Sequence, residues 1–153
     1  MSLATLIAPA LLGFTAIRSG EIWRDAAGAP IDAHGGGFLL DGGTYYWYGS
    51  ARNGLDPPCC KDRGINLYTS KDLYNWRHEG LVLPAFNGSA TGNGLDLERP
   101  KTIKCAATGE YVMWVRGTGD GNTPQLLGVA TAPHPAGPFS WVGNVSDPFR
   151  TVA

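Results

Sequence analysis

The sequence has no run of basic residues and no apolar stretch long enough to cross a bilayer. Its 12 lysines and arginines are balanced by 13 aspartates and glutamates, which gives a net charge of −1. A nucleic-acid-binding or anionic-membrane-binding surface needs a basic patch. The apolar segment Leu3 to Ala16 is shorter than the roughly 20 residues of a membrane span. The sequence therefore predicts no nucleic-acid partner and no membrane partner, and its charge balance suits a neutral ligand.

The same N-terminal segment also lacks a positive region in front of it, since its first cation is Arg18. Its length fits the apolar part of a secretory signal, but that missing region is part of the usual pattern. Residues 1–18 are therefore either a signal peptide or an irregular N-terminal arm. Two glycosylation sequons, at Asn87 and Asn144, favour the secretory route. We expect the protein to be extracellular.

Cysteine is scarce, with three residues in the chain: Cys59, Cys60 and Cys105. An odd number in a secreted chain predicts a free thiol or a partner outside the sequence. One of the adjacent pair could form a disulfide with Cys105. No second cysteine or histidine follows at the spacing of metal ligands, so no metal site is predicted.

Helical periodicity is also rare, whereas 22 glycines and 11 prolines interrupt the chain every few residues. This pattern is typical of short strands joined by turns. Phe38–Leu40 and Thr44–Tyr48 flank the turn Asp41–Gly43 and predict a β-hairpin. Ile65–Thr69 and Trp76–Val82 predict a third and a fourth strand.

The same order of strands recurs later in the chain. Lys101–Cys105 and Glu110–Arg116 predict a second hairpin, and Leu126–Thr131 and Phe139–Val142 predict two more strands. Equivalent positions of the two units lie 62 to 66 residues apart. Four strands repeated at a period near 60 residues are typical of propeller blades. Two unrelated hairpin pairs of a sandwich are the alternative, which the matched tryptophans of the fourth strands disfavour.

A propeller needs about 4 to 8 blades, because each sheet must pack against its neighbours. We assign residues 19–95 to a first blade with its entry segment, 96–146 to a second blade, and 147–153 to the start of a third. The chain is then an N-terminal fragment whose partners include the remaining blades of its parent. A small natural protein that assembles with copies of itself is the alternative.

Tryptophans within the repeated strands are the expected packing residues between blades. We predict this role for Trp47, Trp76 and Trp114. The outer sides of both end blades are expected to expose apolar surface and to lower solubility.

Several motifs of the repeat resemble one known family. The run His34–Gly37 (HGGG) is followed by FLLDGGTYYWYGS and INLYTSKDLYNW, and Leu97–Lys101 (LERPK) by EYVMW and GVATAPHPAGPF. In this order they resemble glycoside hydrolase family 43, and most closely its branch of exo-acting β-1,3-galactanases. The resemblance covers Ser19 to Arg150, about the first two of five blades. It implies an all-β fold, a partial five-bladed β-propeller.

The resemblance also implies a chemistry. Inverting hydrolysis of a glycosidic bond needs an acid and a base, roughly 6.5 to 9.5 Å apart, and no organic cofactor. In the family the base Asp opens blade one, an Asp that modulates the pKa opens blade three and the acid Glu opens blade four, and the last two positions lie beyond Ala153. The base position falls at Gly35, with Asp32 close but out of register.

We therefore expect part of a glycosidase that acts on galactan or arabinogalactan side chains of plant-type polysaccharide, inactive as given. The alternative is a non-catalytic carbohydrate-binding propeller.

By the same resemblance, Glu98 is the catalytic candidate, since it opens blade two and should contact substrate. It could instead be a structural carboxylate, paired with Arg99 or with another blade. His34, Gly35 and Arg99 are the substrate-binding candidates, although His34 could simply satisfy a turn and Arg99 could be structural. Ser50 stands where the galactanase branch can carry a glutamate, which leaves the sugar specificity open.

Overall fold

The computed structural model describes residues 13–52, 64–85, 96–118 and 126–146. Within these ranges the regular secondary structure is all β-strand, without a helix. The strands are β1 (His34–Asp41), β2 (Thr44–Ser50), β3 (Gly64–Ser70), β4 (Arg77–Pro84), β5 (Asp96–Lys104), β6 (Tyr111–Thr118), β7 (Leu126–Ala132) and β8 (Ser140–Ser146).

The strands form two antiparallel four-stranded sheets, in the orders β1-β2-β3-β4 and β5-β6-β7-β8. We call them blade 1 and blade 2. The prediction of an all-β, partial propeller of two four-stranded blades is confirmed. Two strands begin earlier than predicted, β1 at His34 and β5 at Asp96, and Trp76 lies one residue before β4 rather than in it.

Turn chemistry and side-chain alternation explain the first hairpin. Gly42 and Gly43, between β1 and β2, have φ values of 53° and 70°, which side-chain-bearing residues rarely adopt. Along β2, aromatic residues favour the extended backbone, and successive side chains point to opposite faces. Tyr48 is buried against blade 2, whereas Trp47 packs on the other face.

A single hydrophobic core joins the two blades. Tyr48 and Leu67 of blade 1 and Met113 and Val115 of blade 2 are completely buried in it. The Tyr48 hydroxyl donates a 2.6 Å hydrogen bond to the carbonyl of Pro135, so the polar end of this buried ring also connects the blades. Because burial of this apolar surface drives association, the two sheets hold a fixed relative position.

The opposite face of blade 1 is covered by the chain that enters it, residues 13–33, which we call the entry segment. Trp23 of this segment packs against Trp47, with ring centroids 5.2 Å apart. The amide of Ala26 donates a hydrogen bond to the carbonyl of Trp76 at 2.8 Å. Trp47 and Trp76 therefore pack against the entry segment, on the face of blade 1 that points away from blade 2, and they do not lie between the two described blades.

The outer face of blade 2 is open. Ile103, Trp114 and Val142 project from it and are 57%, 38% and 65% exposed. Trp114 thus does not pack between these blades either. The expected apolar surface is present on this side, whereas on blade 1 the entry segment covers much of it and leaves Phe38 and Leu40 exposed.

Candidate functional site

Glu98 lies in β5, the strand of blade 2 that contacts β1 of blade 1. A β-bulge interrupts the pairing of β5 with β6 between Glu98 and Lys101, and Glu98 pairs with Arg116. Bulges redirect side chains and are frequent next to active sites. The side chain of Glu98 is 17% exposed, so its carboxylate is largely enclosed but still reaches solvent.

Two guanidinium groups hold this carboxylate. Arg52, just after β2 in blade 1, places Nη2 2.6 Å from Oε1 of Glu98. Arg116 of β6 places Nη1 3.3 Å from Oε2. Charge-assisted hydrogen bonds of this kind are about twice as strong as neutral ones. Because its two oxygens face guanidinium groups from different blades, Glu98 connects the two blades.

Arg52 is itself positioned by the entry segment. Its backbone N–H donates to both carboxylate oxygens of Asp32, at 2.9 and 3.0 Å. The amide of Asn66 in β3 donates to the backbone carbonyl of Asp32 at 2.9 Å. Asp32, near in sequence to the family's base position, therefore holds the backbone of Arg52.

Arg99 does not pair with Glu98 within the described part of the chain, where the ion pairs of Glu98 are with Arg52 and Arg116. The other structural alternative was that Glu98 pairs with a residue of another blade, and Arg52 of blade 1 is such a residue. The backbone of Arg99 has a φ of 52°, which costs a side-chain-bearing residue about 1–2 kcal/mol. Such strain is often found at functional sites.

Gly35 lies against Arg99 across the two blades. A Cβ added to Gly35 would be 3.4 Å from Cγ of Arg99, and Gly35 has a φ of 60°. A bulge falls between His34 and Gly37 of β1, as it does between Glu98 and Lys101 of β5. Gly35 and Arg99 therefore both have a positive φ within the bulge of their inner strand.

Close packing against blade 2 also explains the glycine run of β1. A Cβ at Gly37 would lie 2.4 Å from the carbonyl oxygen of Pro100, which is closer than any side chain tolerates. His34, the first residue of the strand, is exposed and pairs with Ser50. The structure thus brings His34, Gly35 and Arg99 to the same edge of the blades as Glu98, and their substrate contacts stay a prediction.

Ser50 forms a connection between blades at this edge. Its hydroxyl is completely buried and donates a 2.6 Å hydrogen bond to the carbonyl of Leu97. The serine that departs from the galactanase pattern therefore fixes the backbone directly before Glu98.

The remaining sequence predictions concern the cysteines, a glycosylation sequon, metal binding and membrane spans. Cys105 carries a free thiol, and its expected partners Cys59 and Cys60 lie outside the described residues, as does the sequon at Asn87. Residues 13–52, 64–85, 96–118 and 126–146 contain no group of three or more potential metal ligands. The same ranges contain no helix long and apolar enough to span a membrane.

Several solved structures that this chain resembles are glycoside hydrolases. A GH43 β-1,3-galactosidase solved with galactodeoxynojirimycin is 41% identical, with a TM-score of 0.75, over 84% of this chain and 38% of that chain. The exo-β-1,3-galactanase of Phanerochaete chrysosporium, solved with galactose, is 35% identical with a TM-score of 0.77, over 85% and 30%. That of Clostridium thermocellum is 37% identical with a TM-score of 0.70, over 84% and 27%.

No protein-family model and no curated protein matches the chain. The chain spans 27% to 38% of the length of the three solved structures. Over that span, sequence identity above 30% accompanies the same arrangement of two four-stranded blades. The chain therefore belongs to glycoside hydrolase family 43, on the branch of the exo-β-1,3-galactanases.

Proposed function

We propose that these two blades form one side of the active site of an enzyme that removes galactose from β-1,3-linked galactan, such as the side chains of plant arabinogalactan. The observation that carries the proposal is Glu98, a carboxylate held by two guanidinium groups at the inner edge of both blades. The solved relatives support the substrate class, since one was determined with galactose and a variant of the same enzyme with β-1,3-galactotriose.

The proposed role of Glu98 is to accept hydrogen bonds from sugar hydroxyls. A carboxylate has about four acceptor positions. Arg52 and Arg116 each approach a different oxygen, so acceptor positions remain for a ligand. With both cations in place, the carboxylate is not an unpaired charge, and a neutral sugar adds no charge to the site.

Both carboxylate oxygens of Glu98 face a cation, Oε1 at 2.6 Å from Arg52 and Oε2 at 3.3 Å from Arg116, which suits a group that accepts hydrogen bonds. Inverting hydrolysis still needs a proton donor for the leaving oxygen and a base for the water. The proposal therefore assigns both of those roles to residues outside the pair of blades and assigns substrate contact to Glu98.

A chimera tests the proposal. Residues 34–146 of this chain would replace the two matching blades of the Phanerochaete chrysosporium exo-β-1,3-galactanase, and galactose release from β-1,3-galactotriose would be measured. We expect an active chimera in which Glu98→Gln lowers kcat/KM at least about tenfold, the effect of losing a hydrogen bond to a charged group. Glu110→Gln, an exposed carboxylate at the other end of blade 2, is the matched control and should retain activity.

The same chimera distinguishes the alternative, a carbohydrate-binding propeller without catalysis. Gly35 at the family's base position is the observation that favours this alternative. A folded chimera that binds β-1,3-galactotriose but releases no galactose would support the binding module. A chimera in which Glu98→Gln and Glu110→Gln are equally active would exclude a role for Glu98 in either function.

A further inference from the structure

A crevice opens between the two blades at the edge opposite to Glu98. Its volume is about 480 Å³, within the usual range of about 300 to 1,000 Å³ for small-molecule sites. Blade 1 supplies most of its wall, from the start of β2, the end of β3, the following turn and the start of β4. Blade 2 contributes Ala136 from the loop between β7 and β8.

The crevice is remote from the site described above. Thr44 lines it and is the first residue of β2, whereas Ser50, the last residue of the same strand, contacts the backbone beside Glu98. Seven extended residues span about 20 Å. A ligand in the crevice therefore cannot be the sugar that contacts Glu98.

The aromatic ring of Tyr46 forms one wall of the crevice. Tyr46 is partly buried and packs against the core between the blades. Thr69 of β3 pairs with Tyr46 and lies beside it. An aromatic ring presents apolar area at low conformational cost, and a tyrosine adds a hydroxyl.

Beside this ring, the ion pair between Arg77 and Glu79 uses one of the two carboxylate oxygens of Glu79. The guanidinium of Arg77 contacts Oε1 of Glu79 at 2.7 Å, and the Thr69 hydroxyl donates to the same oxygen. Oε2 of Glu79 has no hydrogen-bond partner among the residues that the structure describes. Glu79 lines the crevice with its side chain 23% exposed, and its contacts with Arg77 and Thr69 hold the carboxylate in place.

Hydrogen bonds also hold the side chains of the remaining wall in place. Lys71 donates from Nζ to the Thr44 hydroxyl at 2.6 Å and to the carbonyl of Gly43 at 3.4 Å, and its third proton remains for a ligand. The Asn75 side chain donates to Oδ2 of Asp72 at 2.7 Å and to the carbonyl of Phe14 at 2.9 Å. Since these groups are already fixed, a ligand would not have to order them.

We propose that this crevice is a second carbohydrate site, which binds a neutral oligosaccharide between the blades. Lys71 and Arg77 supply donors, Glu79 supplies the acceptor, and Tyr46 supplies apolar area for the ring carbons. The positive charges of Lys71 and Arg77 are balanced by Glu79 and by nearby Asp72, which favours a ligand without charge. A second site on the same blades would raise the local concentration of a polymeric substrate.

An NMR titration of the ¹⁵N-labelled full chain with β-1,3-galactotriose tests this, the choice of probe resting on the proposed function. We expect amide shifts at Tyr46, Thr69 and Lys71, and an affinity at least about fivefold weaker in Glu79→Gln. Thr69→Val should weaken binding in the same direction, because it releases the carboxylate of Glu79. Glu98→Gln is the matched control and should leave the shifts at the crevice unchanged.

Every outcome bears on one of the two sites. Shifts at the crevice that survive Glu98→Gln support the second site, even if the chimera described above fails. No shifts at the crevice, or equal affinity of Glu79→Gln and the unaltered chain, would overturn it. Shifts produced by galacturonate but not by galactotriose would replace the neutral ligand with an anionic one and would also overturn the proposal.

Discussion

Arg52 and Glu98, 46 positions apart in the chain, form a 2.6 Å ion pair that joins the two blades at their shared inner edge. Their side chains are 27% and 17% exposed. Arg116 completes the arrangement from within blade 2. The carboxylate is therefore a structural connection between blades as well as the leading candidate for substrate contact.

The first prediction concerns this ion pair. Arg52→Met and Glu98→Gln should each lower the free energy of unfolding, and the double variant should lose less than the two losses combined. We expect a coupling energy of about 1 kcal/mol, measured by urea unfolding of the four proteins. An Arg52→Met effect that is the same with and without Glu98 would contradict a direct interaction.

The second prediction concerns activity of the chain by itself. The 153-residue protein should release no sugar from β-1,3-galactan or from an aryl β-galactoside, because Glu98 is committed to two cations and Gly35 stands at the base position. Chromatography of the reaction products checks this. Release above a boiled control, abolished by Glu98→Gln, would mean that the described blades contain a complete catalytic apparatus.

The third prediction contrasts two tryptophans. Trp76 is completely buried and donates from Nε1 to the carbonyl of Leu73 at 3.0 Å, whereas Trp114 is 38% exposed. Trp76→Ala should cost about 3–5 kcal/mol of stability. Trp114→Ala should cost about 1 kcal/mol or less. Thermal unfolding of both variants provides the comparison, and equal losses would be inconsistent with the cluster formed by the entry segment.

The fourth prediction concerns the open face of blade 2. Ile103→Lys should raise the soluble yield without lowering the melting temperature, because this side chain is 57% exposed on an apolar surface. Met113→Lys, in the neighbouring strand but completely buried, is the control and should prevent folding. Unchanged yield of Ile103→Lys would show that this face does not limit solubility.

The fifth prediction concerns pH. Hydrogen bonds from the backbone and side chain of Asn75 lower the pKa of Asp72 to about 2, from an ordinary value of 3.8. A lowered pKa in the folded state stabilises the protein above the ordinary pKa, and this contribution is lost as the pH falls toward 2. Asp72→Asn should therefore reduce the melting temperature at pH 6 and make little difference at pH 2. A reduction of the same size at both pH values would exclude the charge as its cause.

The strands were predictable because they depend on local signals. Aromatic and β-branched residues flank turn residues at regular intervals, and the two units repeat that order. The residue that pairs with Glu98 across the strands was harder to predict. Counting outward from the turn between β5 and β6, an uninterrupted ladder places Gly117 opposite Glu98, but the bulge shifts the register by one residue to Arg116. Bulges of this kind have no reliable signal in a single sequence.

Two further features depend on contacts between distant parts of the chain. Arg52 lies in a different blade from Glu98, and nothing in the spacing of the two residues predicts their contact. The packing of Trp47 and Trp76 against residues 13–33 was missed because this irregular segment has no periodic pattern. The sequence identified the right family and the right edge of the blades, whereas the ion pairs at that edge required the fold.

Because the entry segment covers blade 1, the two outer flanks of the pair of blades differ. One flank is largely covered by the entry segment, and the other presents Ile103, Trp114 and Val142. A further sheet could stack on this flank of blade 2, where the described residues leave those side chains exposed, whereas on blade 1 it would compete with Trp23 for its place on Trp47. We therefore expect a larger ring to grow more readily from the flank that carries Trp114.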